Sequence, residues 1–215
     1  MKIFVLDNYD SFTYNLVEAI RIITGHPITV RRNDQFDIKE IEDYDKVILS
    51  PGPGIPDEAG KLKEVIETYK TTKSILGICL GMQAIGEVCG AKLLNLPNVF
   101  HGVSTAIKIT DADEVMFKGM GEVIDGGRYH SWAIEPKSIP DELQVTAVDY
   151  EGIPMAVKHK IYDLKGLQFH PESIMTKEGN TMLTNWLRDH KNLHLPTQDD
   201  FKFNHGSINE SKLFF

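Results

Sequence analysis

The sequence predicts an α/β fold: an open, mostly parallel sheet flanked by helices, with antiparallel strands appended. Two features of the 215-residue chain lead to this prediction. In its first half, short apolar runs alternate with helix-like segments, which is the pattern of βαβ units. After Gly90 the segments become shorter and alternate between apolar and polar residues, as antiparallel strands do. Because this length suffices for one sizeable core, we expect one domain over residues 1–190 and an irregular tail over residues 191–215.

The first half is predicted to hold four strands and three helices. The strands are continuous apolar runs, as expected of a sheet covered on both faces, at residues 2–6, 28–32, 46–49 and 74–78. The helices lie between and after them at residues 11–23, 58–69 and 81–88. In the first helix Leu16, Ile20 and Ile23 recur at helical spacing, and Asp10 or Ser11 is the expected N-cap.

The second half is predicted to add mainly antiparallel strands. Alternating segments indicate strands at residues 103–109, 143–148 and 154–159. A return to a buried strand is predicted at residues 166–169, followed by a last helix at residues 177–187. The residues after Lys191 lack clear periodicity, so no element is predicted there.

Composition argues against several classes of partner. Acidic residues outnumber basic ones 31 to 23 and the net charge is -8, which does not suit nucleic-acid binding. The apolar N-terminus stops at Asp7, too early for a membrane span or the core of a signal peptide. Cys79 and Cys89 lie ten positions apart in or beside one predicted helix, too far to form a disulfide. A reduced, cytoplasmic setting is therefore expected.

The segment GICLG at residues 77–81 has the pattern of a nucleophile elbow, in which a sharp strand-to-helix turn carries the nucleophile. Gly77 and Gly81 allow the backbone to bend and pack closely, and they leave Cys79 at the start of a helix. The helix dipole and free N–H groups there favour a thiolate. In isolation the pattern fits a buried cysteine that only fills space equally well.

Two further motifs follow predicted strands. His170 and Glu172 flank Pro171, which favours an extended backbone, so the imidazole and the carboxylate can lie side by side as a base and its orienting group. The loop 51–54 (PGPG) can present the N–H of Gly54 to an oxyanion, and the N–H of Leu80 after the nucleophile is the second predicted donor. Because carboxyl ends of parallel strands meet at one edge, these motifs are expected to converge.

Together these three motifs, the last read as HPES at residues 170–173, resemble the class I, triad-type glutamine amidotransferases over residues 1–189. The opening segment DNYDSFTYNL at residues 7–16 is similar to the glutaminase subunits of anthranilate synthase and aminodeoxychorismate synthase. Residues 101–102 and 128–131 also resemble that branch. Val103 and Trp132 depart from its usual pattern, which leaves details of substrate or partner docking open.

The resemblance implies a role for each matching residue. Cys79 would attack the amide of L-glutamine, His170 would transfer the proton, and Glu172 would orient His170. Gly54 and Leu80 would hold the oxyanion. The residues expected to border the bound glutamine are Gly52, Pro53, Gln83, Ser131 and Trp132. Neither a metal nor a cofactor is implied, and the ammonia would pass to a chorismate-using synthase subunit in a heteromeric complex.

Three interpretations remain open at this point. The synthase could be that of anthranilate, our first choice, that of aminodeoxychorismate, or both. The chain could instead be the glutaminase of a split GMP synthetase or of a carbamoyl-phosphate synthetase. Against the first, GMP synthetases lack the pattern seen at residues 8–15; against the second, a carbamoyl-phosphate synthetase would be expected to carry a domain before the first strand. A non-catalytic scaffold would be expected to lose a triad member, yet Cys79, His170 and Glu172 are all present.

Overall fold

The computed structural model describes residues 1–189, so the prediction for the tail over residues 191–215 lies outside the described residues. Eleven strands are found in this range: β1 (Ile3–Asp7), β2 (Ile28–Arg32), β3 (Lys46–Leu49), β4 (Ser74–Ile78), β5 (Leu93–Asn95), β6 (Val103–Ile109), β7 (Val123–Arg128), β8 (Trp132–Ile134), β9 (Leu143–Val148), β10 (Pro154–His159) and β11 (Leu164–Leu167). The α-helices are α1 (Thr13–Thr24), α2 (Leu62–Tyr69), α3 (Leu80–Val88) and α4 (Gly179–Arg188).

Nine of these strands form one mixed sheet in the order β2-β1-β3-β4-β11-β10-β9-β6-β7, and β5 pairs with β8 separately. The five strands from β2 to β11 are parallel to one another. The remaining four are joined by antiparallel pairing. The predicted fold class, a mostly parallel sheet with appended antiparallel strands, is therefore confirmed.

Several predicted boundaries need correction. Helix α2 begins at Leu62 and not at residue 58, because a short 3₁₀ turn, Pro56–Glu58, and Gly60 at φ +53° precede it. The N-cap of α1 is Phe12, and neither Asp10 nor Ser11 caps the helix. Instead the Asp10 carboxylate accepts a hydrogen bond from the Phe12 N–H at 2.7 Å.

Later in the chain, β11 ends at Leu167, earlier than predicted, and α4 spans Gly179–Arg188. Strands β5, β7 and β8 were not predicted. Strand β7 (VIDGGR) has little apolar pattern because its glycines meet tight packing: a Cβ on Gly126 would lie 2.3 Å from Ile107 Cδ1. The six predicted strands at residues 28–32, 46–49, 74–78, 103–109, 143–148 and 154–159 have the predicted bounds.

The parallel strands bury alternate side chains on two faces of the sheet. On one face Val5 and Ile48 pack in a cluster with Leu16 of α1 and Trp186 of α4. On the other face the cluster contains side chains of β1, β3, α2 and α3. Strand β2 departs from the expected burial on both faces: it lies at the sheet edge, and Arg32 at its end is exposed.

The register of the sheet decides which loops meet. Leu49 of β3 lies opposite Gly77 of β4, and Ile78 of β4 lies opposite Leu167 of β11. The segments that follow these three strands therefore emerge at one edge of the sheet, where open α/β folds bind their ligands. Within residues 1–189, no helix is long and apolar enough to span a membrane.

Candidate active site

Cys79 lies in a strained backbone turn between β4 and α3. Its φ of 53° and ψ of -102° are unusual for a residue with a side chain, and its N–H donates to the Leu167 carbonyl at 2.7 Å. A Cβ on Gly77 would lie 2.4 Å from the Gly81 carbonyl carbon, and one on Gly81 would lie 2.5 Å from the Leu49 oxygen. The predicted elbow is therefore present, and its glycines are required by backbone packing.

The loop over residues 51–54 packs directly on the elbow. A Cβ on Gly52 would lie 2.6 Å from both Asn8 Cβ and Leu80 Cδ2, so only glycine permits this approach. Asn8 also holds Ser50, the residue before this loop, because its side chain donates to the Ser50 carbonyl at 2.8 Å. Among residues 1–189, the N–H groups of Gly54 and Leu80 make no hydrogen bond, so both remain available as donors.

The structure brings His170 and Glu172 together at 2.7 Å between Nδ1 and Oε1, with both side chains buried. The backbone here is a turn closed by the Ser173 N–H on the His170 carbonyl, not the extended segment that we expected. The His170 ring also contacts the rings of Phe12 and Tyr129, with centroids 5.6 and 4.9 Å away.

The electrostatics of His170 favour an imidazolium. Burial lowers its pKa, but the proximity of Cys79 and the bond to Glu172 outweigh burial and raise the pKa to about 10. His170 Nε2 is buried and makes no hydrogen bond within the described part of the chain. Nδ1 is held by Glu172, so Nε2 is the ring nitrogen left without a hydrogen-bond partner in this range.

A cavity of about 260 Å³ opens at Cys79. Six of the residues predicted to contact substrate or oxyanion line it: Gly52, Pro53, Gly54, Gln83, Ser131 and Trp132. Leu80, His170 and Glu172 are not part of the lining. The lining also includes Val99, Phe100, His101, Tyr129 and His130, which we had not assigned to the substrate.

Gln83 and Gln168 connect the cavity wall to Cys79. Gln83 is buried, not exposed on the helix surface, and its Nε2 donates to the Trp132 carbonyl at 2.8 Å and to Gln168 Oε1 at 3.2 Å. Gln168 Nε2 donates to Cys79 Sγ at 3.5 Å. Sequence reasoning missed Gln168, although a polar residue inside the apolar run 166–169 was a signal of a buried polar role.

Two further lining residues, Phe100 and His130, are held by Arg128, which is almost fully buried. Its guanidinium donates to Asp149 Oδ2 at 2.9 Å and to His130 Nε2 at 3.0 Å, and it stacks on the Phe100 ring 3.5 Å from the centroid. Burial, and then Arg128, lower the pKa of His130 to about 3. His130 is therefore neutral, so its Nδ1–H donates to the Trp132 carbonyl at 2.9 Å.

Titratable side chains elsewhere are not arranged for metal binding: within residues 1–189 no group of three or more His, Cys, Asp and Glu could hold an ion. Cys79 and Cys89 are both free and buried. Cys89 lies at the far end of α3, where burial raises its pKa to about 11. A thiol of that pKa is a poor nucleophile near neutral pH, so Cys89 is distinct from Cys79 in environment.

Comparison with known proteins agrees with this geometry. The model of the glutamine amidotransferase class-I family matches residues 4–190. Aminodeoxychorismate synthase component 2 of Escherichia coli (strain K12) is 40% identical over 187 residues, 86% of this chain and 98% of that protein. Anthranilate synthase component 2 of Cyanophora paradoxa is 40% identical over 188 residues, 86% of this chain and 97% of that protein. A solved structure of a GMP synthase-like protein from Thermoplasma acidophilum has a TM-score of 0.78 and 27% identity, covering 87% of this chain and 92% of that one.

Proposed function

Because this chain belongs to the class I glutamine amidotransferase family, we propose that it hydrolyses L-glutamine and delivers the ammonia to a chorismate-using synthase subunit. One observation carries the proposal: a strained cysteine borders a small cavity and interacts with a buried His–Glu pair, raising the pKa of the histidine. A cavity of about 260 Å³ suits a molecule of amino-acid size.

In the first half of the reaction, the Cys79 thiolate attacks the amide carbon of glutamine. The N–H groups of Gly54 and Leu80, which have no other acceptor among residues 1–189, stabilise the oxyanion. Collapse of the intermediate breaks the C–N bond, and the leaving nitrogen takes a proton from His170 Nε2. The products of this half are ammonia and a thioester on Cys79.

In the second half, water attacks the thioester and transfers a proton to His170. Glutamate leaves and the Cys79 thiolate is regenerated, so the net reaction converts glutamine and water into glutamate and ammonia. Glu172 keeps the proton on Nδ1 of His170, which directs Nε2 to the reacting atoms. Gln83 offers its Oε1 to the substrate ammonium, because its Nε2 already donates to two protein acceptors.

Anthranilate synthase is our first choice of partner, and aminodeoxychorismate synthase, or both enzymes, is the alternative. Relatives of both kinds are equally similar, at 40% identity each, so sequence similarity does not separate the two branches. The chain should be purified with the synthase component of each enzyme in turn, and the glutamine-dependent product should be identified. Formation of aminodeoxychorismate alone would overturn the first choice.

The mechanism itself is tested with Cys79→Ser in the complex. Glutamine-dependent synthesis should be lost, while synthesis supported by added ammonia should stay at the wild-type rate, because the synthase site is untouched. The control is Cys89→Ala. It removes the second thiol, which does not line the cavity, and should leave both activities close to wild type. Glutamine-dependent synthesis retained by Cys79→Ser would refute the assignment.

A further inference from the structure

Gln168 is a buried polar residue in contact with the sulfur of Cys79, and the mechanism described so far does not use it. Its side chain is fully buried, and its Nε2 lies 3.5 Å from Cys79 Sγ. The residue follows β11 directly, and the backbone N–H of Cys79 donates to the carbonyl of the preceding Leu167. Sheet register therefore places Gln168 next to the elbow.

The direction of this hydrogen bond follows from its neighbours. The Trp132 carbonyl can only accept, so the group of Gln83 that faces it at 2.8 Å must be the NH₂. The same NH₂ lies 3.2 Å from Gln168, which must therefore present its oxygen to Gln83. The remaining group of Gln168, its own NH₂, is then directed at Cys79 Sγ.

We propose that Gln168 is a further catalytic residue of this site, whose side-chain amide donates a hydrogen bond to Cys79 Sγ and stabilises it as a thiolate in position for attack. This inference rests on the proposed function, in which Cys79 is the nucleophile. A hydrogen bond to a charged acceptor favours the charged form and is stronger than a neutral one. The donor cannot rotate away, because Gln83 and the Trp132 carbonyl hold its orientation.

The same chain of hydrogen bonds couples the nucleophile to the cavity wall. Gln83 and Trp132 line the cavity, whereas Gln168 lies behind it. Because Gln168 is fully buried and does not line the cavity, its donor group is protected from water.

The test is the pH dependence of alkylation by iodoacetamide in a Cys89→Ala background, where Cys79 is the single thiol of the chain. Gln168→Met removes the donor at similar volume. Gln168→Glu keeps the shape and the acceptor for Gln83 but directs a carboxylate oxygen at the sulfur. Gln144→Met is the matched control, since it also removes one glutamine side-chain hydrogen bond, to Asp111 at 3.0 Å, outside the cavity.

We expect the alkylation rate at pH 6 to fall about tenfold in Gln168→Met and further in Gln168→Glu, with rates converging near pH 9.5. Gln144→Met should follow the background profile. In the synthase complex, kcat with glutamine should fall in the same order while KM changes by about twofold or less. Gln168→Leu, which also removes the donor and adds no charge to this buried site, keeps the test readable if Gln168→Met does not fold.

An unchanged pH profile in a folded Gln168 variant would overturn the proposal. An alkylation rate that falls by the same factor at every pH would also overturn it, because such a change indicates altered access of iodoacetamide to Cys79 and not a smaller thiolate fraction. Alkylation needs neither glutamine nor the synthase, so it tests the role of Gln168 separately from the proposed function. Failure of the proposed function would be seen in a different experiment, as glutamine-dependent synthesis by Cys79→Ser.

Discussion

Gly77→Ala tests whether close packing of β4 on α3 sets the position of the nucleophile. An added Cβ would lie 2.4 Å from the Gly81 carbonyl carbon, 2.5 Å from the Gly81 oxygen and 2.7 Å from the Met82 nitrogen. All three are backbone atoms, so no side chain can rotate to make room. Ordinary contact distances require the strand and the helix to separate by about 1 Å.

Two consequences follow from that separation. Overpacking of a buried position lowers the free energy of unfolding, here by about 1–3 kcal/mol. Cys79 lies at the junction that must open, and a displacement of about 1 Å at a reacting group costs about 10²-fold in rate. We therefore expect glutamine-dependent synthesis to fall about 100-fold, while the ammonia-dependent activity of the synthase is unchanged.

The assay combines urea unfolding of the isolated chain with both activities of the complex. Gly121→Ala is the matched control, because its nearest neighbour is the Val123 oxygen at 3.8 Å and the residue is exposed. It should change stability by less than about 0.5 kcal/mol. Wild-type stability together with a wild-type glutamine-dependent rate in Gly77→Ala would refute the packing argument.

Three further predictions use the buried ionisable groups. Burial lowers the pKa of Lys46 to about 8, so between about pH 8 and 10.5 the side chain is protonated in the unfolded chain and neutral in the folded one. Urea titrations should therefore show the free energy of unfolding of wild type, relative to Lys46→Met, rising by up to about 3 kcal/mol from pH 8 to 10.5. A difference that does not change with pH would contradict this. Burial lowers the pKa of His130 to about 3, so the folded chain resists protonation of this side chain while the unfolded chain does not. The free energy of unfolding should therefore fall, by at most about 5 kcal/mol, as pH drops from about 6.5 towards 3. In the same titration, His130→Gln should lose less stability over this range. Glu172→Gln should lower the pKa of His170 and reduce kcat for glutamine by about 10²-fold or more without affecting ammonia use; an unchanged kcat would exclude the orienting role.

The parallel half of the fold was predictable because its signals are local. Strands β3 and β4 are short apolar runs bounded by polar or turn residues, and their predicted ends agree with the structure. Strand β7 was not predictable in the same way, since Gly126 is explained by Ile107 and Phe169, which press on it from distant parts of the chain. The start of α2 was misplaced because Gly60 breaks a run of helix-compatible residues.

By itself, the sequence determined which residue types could perform the chemistry: a cysteine between two glycines, a His-Pro-Glu segment and a glycine-rich loop. These patterns are recognisable because backbone geometry constrains each of them within a few residues. Tertiary structure alone decided how the segments meet, since the pairing of β4 with β11 brings Gln168 to Cys79 across 89 positions of sequence. The physical reason is that the contact depends on sheet register and on the buried hydrogen bonds of Gln83, which link segments far apart in the chain.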